Sequence, residues 1–78
     1  ANLRDAYVFE AYLVRAILRD ADLSKANLNR SVFDSANLAG ANLYRASTLG
    51  TAFSRVDFSG TTMPDGHQCG PDAVGRCR

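Results

Sequence analysis

The feature that most constrains this chain is a period of five. Divided in fives from Ala1, the sequence reads ANLRD, AYVFE, AYLVR, AILRD, ADLSK, ANLNR, SVFDS, ANLAG, ANLYR, ASTLG, TAFSR, VDFSG, TTMPD, thirteen units without an insertion. The first residue is Ala in nine units and Ser, Thr or Val in the rest; the third is Leu, Phe, Val or Met in twelve, with Thr48 the polar exception. Such a period excludes the common elements. Five residues rotate about 140° around an α-helix, which would scatter the third positions over every face. A flat strand alternates every two residues, so an odd period would turn the apolar set over at each unit. Within a unit, however, the first and third residues are two apart and point to the same side of a short extended segment. If the backbone turns one corner per unit, every such pair faces a common interior, and the chain becomes a solenoid of stacked coils.

Packing accounts for the residue types. A narrow lumen accepts Ala beside each bulky side chain, because two large residues would overpack it. Asn and Asp at the second position (Asn2, Asp22, Asn27, Asn37, Asn42, Asp57) suit a corner, where a short polar side chain can hydrogen-bond nearby backbone. Gly40, Gly50 and Gly60 at the fifth position suit a turn that needs positive φ.

The units ANLRD, ADLSK, ANLNR, ANLAG and ANLYR resemble the A(D/N)LXX signature of the pentapeptide-repeat proteins. The resemblance covers residues 1–65. It implies an all-β fold, a right-handed quadrilateral parallel β-helix with four units and twenty residues to the coil; the period alone does not separate a square cross-section from a triangular one. On that coil length Leu3, Leu23, Leu43 and Met63 form one interior column. Val8, Leu28 and Thr48 form a second, Leu13, Phe33 and Phe53 a third, and Leu18, Leu38 and Phe58 a fourth. About three coils result, followed by a short irregular C-terminal cap. Phe33 and Phe53 are placed to stack along the axis. At unit ten either Thr48 points inward or a local bulge turns Leu49 in; the units on both sides keep step, which favours Thr48.

The second, fourth and fifth residues then face outward. From Asp20 to Asp65 they are mostly polar, charged or Gly. In the first coil they include Tyr7, Phe9, Tyr12, Val14 and Ile17, with Val32 one coil above Tyr12. Such an apolar belt on a small molecule points to a covered surface: upstream chain, a protein partner, or a homo-oligomer through the N-terminal coil. The chain begins in step with the repeat and without Met, which suggests a processed product or a fragment.

Residues 66–78, GHQCGPDAVGRCR, leave the period and form a capping tail, expected to cover the column ends at Met63, Thr48, Phe53 and Phe58. Cys69 and Cys77 enclose a flexible loop. A Cys69–Cys77 disulfide is expected ahead of two free thiols; a metal site is not expected, because His67 adds only a third candidate ligand at spacings unlike a zinc ribbon or finger. Oxidation would favour an extracytoplasmic compartment, such as a periplasm or thylakoid lumen. The TTMPDG junction resembles the way many cyanobacterial and plastid members of the family end.

Nine basic and eight acidic residues, interspersed, leave a net charge of +1. That balance marks no nucleic-acid partner and no membrane surface. No phosphate loop, metal cluster or nucleophile–base pair appears, so neither catalysis nor a cofactor is expected. The expected role is a non-catalytic structural or protein-interaction module. The alternative implied by the resemblance is a DNA-mimic protein that binds gyrase; such rods are longer, dimeric and strongly acidic, whereas Arg4, Arg15, Arg19, Lys25, Arg30, Arg45 and Arg55 all fall at outward positions here.

Overall fold

The computed structural model describes residues 2–71, 73–75 and 77; Ala1, Asp72, Arg76 and Arg78, which the reading above placed in the first unit and the tail, lie outside the described residues. The coil repeat is twenty residues. Parallel bridges pair second-position residues one coil apart: Asn2 with Asp22 and Asp22 with Asn42, Tyr7 with Asn27, Tyr12 with Val32, Ile17 with Asn37. Four five-residue faces therefore make one turn of the solenoid. Among the described residues each face contributes an isolated bridge rather than a continuous strand, because a corner interrupts the backbone after every three residues.

Each backbone N–H of a unit has its own destination. The first closes the corner onto the third carbonyl of the preceding unit, as Ala26 does onto Leu23 at 3.1 Å. The second reaches back one coil, Asn27 N–H to the Ala6 carbonyl at 2.8 Å. The third and fifth reach forward one coil, Leu23 to Asn42 and Lys25 to Tyr44, both at 2.8 Å. The fourth stands outside this ladder, and the Asn or Asp two residues earlier accepts from it. Asn42 Oδ1 accepts from Tyr44 N–H at 2.9 Å, and Asn27 and Asn37 do the same for Asn29 and Ala39. This is the physical reason for Asn or Asp at the second position: without it the fourth N–H has no acceptor within its own unit. Where the second residue lacks an amide or carboxylate, the coil below can supply one. Leu49 N–H donates to Asn29 Oδ1 at 2.8 Å and Ser54 N–H to Asp34 Oδ1 at 3.3 Å.

The corner also needs a positive φ at the fifth residue, as the third residue of a type II turn does. Gly40, Gly50 and Gly60 adopt it, but so do Asp5, Glu10, Arg15, Asp20, Lys25, Arg30, Ser35, Arg45 and Arg55, at φ between 56° and 63°. An L side chain in this region costs about 1–2 kcal/mol, so glycine is not what specifies the turn. The ladder bonds on either side of each corner hold it there.

In the lumen, Leu23, Leu28, Phe33, Leu38, Leu43 and Phe58 are buried, beside Ala21, Ala26, Ala36, Ala41 and Ala46. Leu3, Val8, Leu13 and Leu18 in the first coil are half-buried, as are Thr48, Phe53 and Met63 near the far end. Phe33 and Phe53 stack with centroids 5.5 Å apart, and Phe58 meets Phe53 edge-on at 5.4 Å. Leu49 is 74% exposed, and Leu28 and Arg30 keep their regular bonds to Ser47 and Leu49, so no bulge shifts the register at unit ten. The hydroxyl residues at first positions satisfy themselves inside: Thr51 and Thr61 donate to the carbonyls of Leu28 and Leu38, each at 2.6 Å, and Ser31 donates to the Val8 carbonyl.

The tail is more regular than its composition suggests. It runs antiparallel over the last two units, with bridges between Thr62 and Gln68 and between Asp57 and Val74. Met63 and Phe58 donate to His67 and Ala73, and Thr61 and Val56 accept from Cys69 and Gly75. Cys69 and Ala73 are buried in the core. The cap was expected over four column ends, but only Phe58 is fully covered, because the described residues of the tail pair with units twelve and thirteen and not with the faces at residues 46–55.

Candidate functional site

Two regions depart from the repeat: the first coil and the capped end. In the first coil Tyr7, Tyr12 and Ile17 project from three adjacent faces and are 74%, 79% and 81% exposed. All three occupy second positions, where Asn2, Asn27, Asn37 and Asn42 accept from the fourth N–H. Here an apolar side chain replaces that acceptor. Among the described residues nothing bonds the N–H groups of Phe9, Val14 and Arg19, which are left to water. The three residues thus forgo a local bond and expose apolar surface at once, a choice that nothing in the coil requires.

The other members of the belt sit differently from the uniform outward display expected of them. Phe9, Val14 and Val32 are half-buried. Phe9 lies beneath Tyr7, centroids 5.7 Å apart, with the Arg30 guanidinium 5.8 Å from its ring. The fourth position, next to a corner, lets a large ring fold back along the wall of the solenoid. Phe9 therefore supports the display of Tyr7. Leu49, Tyr44 and Val74 are further exposed apolar residues; the first two stand at outward fourth positions, which is where the five-residue pattern could have found them.

At the capped end the sulfurs of Cys69 and Cys77 stand at disulfide distance, 2.05 Å, with Cα atoms 5.0 Å apart. His67 is exposed, and among the described residues no cluster of His, Cys, Asp or Glu is arranged to hold a metal ion. Met63, Pro64, Asp65, His67 and Cys77 line a shallow, mostly apolar recess beside the tail. Among the described residues no helix is long and apolar enough to cross a membrane.

The carboxylates take structural parts. Asp22 accepts from both the hydroxyl and the N–H of Ser24, at 2.6 and 3.1 Å, and Asp57 accepts from Ser59 in the same way, at 2.6 and 3.0 Å. The Ser hydroxyls, then the N–H groups, hold both carboxyls below the usual carboxylate range, with Arg4 and Arg19 adding smaller attraction. A depressed folded pKa adds stability above the unfolded value of about 4, and that stability is lost as pH falls through the folded pKa. Asp22→Asn with Asp57→Asn keeps the acceptor oxygens and removes the titration. Thermal melts between about pH 7 and about pH 2 are expected to fall less steeply for the double variant below about pH 4. Parallel acid limbs would show that these two groups do not govern acid unfolding.

A chain built of twenty-residue coils with a small residue and a large one facing the lumen in every unit is a repeat solenoid. It belongs to the pentapeptide repeat family, eight copies of which match over residues 1–38, 11–47 and 36–65, and that membership makes the coil a right-handed β-helix. Among solved structures it is similar to HetL, a pentapeptide repeat protein involved in heterocyst differentiation regulation from the cyanobacterium Nostoc sp. strain PCC 7120, at 21% identity and a TM-score of 0.36. The match covers 87% of this chain and 51% of HetL, so the chain spans about half that protein's length. No curated protein matches.

Proposed function

We propose that this chain is a non-catalytic interaction module whose first coil docks another protein chain through Tyr7, Tyr12 and Ile17. The observation that carries this reading is the exposure of three large apolar side chains at second positions, where six of the other ten units place a hydrogen-bonding Asn or Asp. Tyr is favoured at such surfaces because it brings large, rigid contact area with a polar tip. Phe9, half-buried between Tyr7 and Arg30, holds the patch in place ahead of binding, which lowers the ordering cost. The gyrase-binding alternative meets no supporting observation: Arg4, Arg15, Arg19, Lys25, Arg30, Arg45 and Arg55 are all exposed and spread positive charge over a surface that a DNA mimic would make acidic. The Cys69–Cys77 pair favours an oxidising compartment.

The expected partner is a second copy where no other chain is supplied, and light scattering across a concentration series tests this. Wild type should self-associate, and Tyr12→Ser with Ile17→Ser should raise the dissociation constant roughly tenfold or more with an unchanged melting temperature. Monomers of both proteins at the highest soluble concentration would count against self-association. Equal binding of a solvatochromic apolar dye by both would sink the patch itself.

A further inference from the structure

Among the described residues the tail caps only half of the far end. The tail satisfies the outer edge of units twelve and thirteen: Phe58, Gly60 and Met63 donate to Ala73, Gly70 and His67, while Thr61 and Val56 accept from Cys69 and Gly75. Units ten and eleven, residues 46–55, belong to the same final turn and present the same edge. Their third and fifth N–H groups, those of Thr48, Gly50, Phe53 and Arg55, have no backbone acceptor among the described residues. In every completed coil these positions donate to the coil above. Beneath the edge the lumen is incompletely closed, with the inward residues Thr48 and Phe53 only half-buried.

We infer that the edge of residues 46–55 is a β-augmentation site that takes an extended acidic peptide. The tail shows the mode of binding on the adjoining half of the turn: an antiparallel segment whose carbonyls accept from the third and fifth positions and whose small residues, Cys69 and Ala73, drop into the lumen. A peptide continuing in the tail's direction would place its carbonyls over Phe53 and Thr48 and a small apolar side chain above the Phe53 ring. Backbone pairing supplies affinity in this mode, and alternate side chains supply specificity. The edge is donor-rich, with two N–H groups per unit against the single carbonyl that units twelve and thirteen turn toward the tail. Its flanking charge has the same sign. On these two faces of the upper coils and at the corners that bound them, residues 25–35 and 45–55, stand Lys25, Arg30, Arg45 and Arg55 against the one carboxylate of Asp34, although the whole chain is near neutral. Glu or Asp at the peptide's outward positions would meet the exposed corner residues Arg45 and Arg55.

The probe is a fluorescein-labelled octapeptide alternating Glu with Ala or Val, titrated with the intact chain while amide chemical shifts are followed. The acidic peptide should shift the amides of Thr48, Gly50, Phe53 and Arg55, and binding should weaken with added salt. An otherwise identical peptide with Lys for Glu should bind at least about tenfold more weakly. Arg55→Glu, an exposed change, should weaken the acidic probe severalfold. Thr48→Pro, which removes an edge N–H that the fold does not use, should weaken both peptides. Either variant's fold is checked by the unchanged amide shifts of the first coil. No binding of the acidic probe at millimolar concentration, shifts confined to Tyr7, Tyr12 and Ile17, or equal affinity for the Lys peptide would overturn the assignment. Tighter binding of duplex DNA at the same four amides would overturn it in favour of phosphate recognition.

Discussion

Phe33→Ala is expected to remove about 3–5 kcal/mol of stability, the largest loss of any single side chain here. Phe33 is fully buried at the middle of its column, stacked on Phe53 and enclosed by neighbouring coils. Truncation leaves a cavity that the rigid ladder cannot collapse, because bonds from Phe33 to Ala52 and from Ser35 to Ser54 fix the coil spacing at this level. For a domain of 78 residues the loss is comparable to the whole folding free energy. The control is Leu13→Ala, one coil earlier in the same column but half-buried, which should cost no more than about 2 kcal/mol because part of its surface already meets water. Urea unfolding followed by circular dichroism measures both. Equal losses would mean that the open end of the lumen is as tightly packed as its centre, contrary to the burial gradient.

That gradient explains what could be read from the sequence. The inward third position is visible wherever packing selects it: Leu23, Leu28, Phe33 and Leu38 have no alternative position that the five-residue pattern allows. At the exception the unbroken step of the units on both sides favoured Thr48 over Leu49, and the exposure of Leu49 decides it. The coil length of twenty was not visible in the period and came from family resemblance; in the structure it rests on bridges from one coil to the next. The positive φ of the fifth position was marked only by Gly40, Gly50 and Gly60, because Arg, Lys, Asp and Glu occupy it more than twice as often as Gly. Ladder bonds impose the conformation there, so the side chain carries little trace of it. The tail was least legible. Its backbone pairs with Val56–Met63 through main-chain groups alone, which place no periodic demand on side chains, and only the small residues Cys69 and Ala73 mark where it enters the core. In the first coil the apolar identity of Tyr7, Tyr12 and Ile17 was plain from position. Their cost, the missing acceptor for the fourth N–H, required knowing where every donor of a unit goes.

The two ends of the solenoid pose one physical problem and meet it differently. A stack of coils ends in unpaired N–H and C=O groups, which invite end-to-end association. At the first coil the described residues offer no cover, and apolar side chains stand around the rim. At the far end a folded-back segment pairs half of the edge and turns Gly66 and Gly75, at φ of 91° and 82°, to make its bends. The open half beside it is therefore a local exception to a capping strategy, which is why it is a better place for a guest strand than for a fibre: a second solenoid would collide with the tail before its coil could engage all four faces.

Cys77→Ser tests how that asymmetry is maintained. Cys69 is buried in the core and held by its own N–H bond to Thr61, so the variant removes the cross-link while leaving the anchored partner in place. Closing a loop of this sequence separation, eight residues, is worth roughly 2–3 kcal/mol on the chain-entropy account. Stability should fall by that amount, and a reducing agent should lower wild type to the same level while leaving the variant unchanged. The bonds from Phe58 N–H to Ala73 and from Gly75 N–H to Val56 lie nearest the released end, so the Phe58 and Gly75 amides should lose hydrogen-exchange protection first, whereas those of Leu28 and Leu38 should open only with global unfolding. Opening the rest of the final turn would also turn a half-covered edge into a complete one. Cys77→Ser is thus expected to associate end to end at concentrations where the parent does not, a change visible as a rise in scattering mass. A variant with full stability and an unaltered mass would show that main-chain pairing and the burial of Cys69 and Ala73 hold the cap without help from the cross-link.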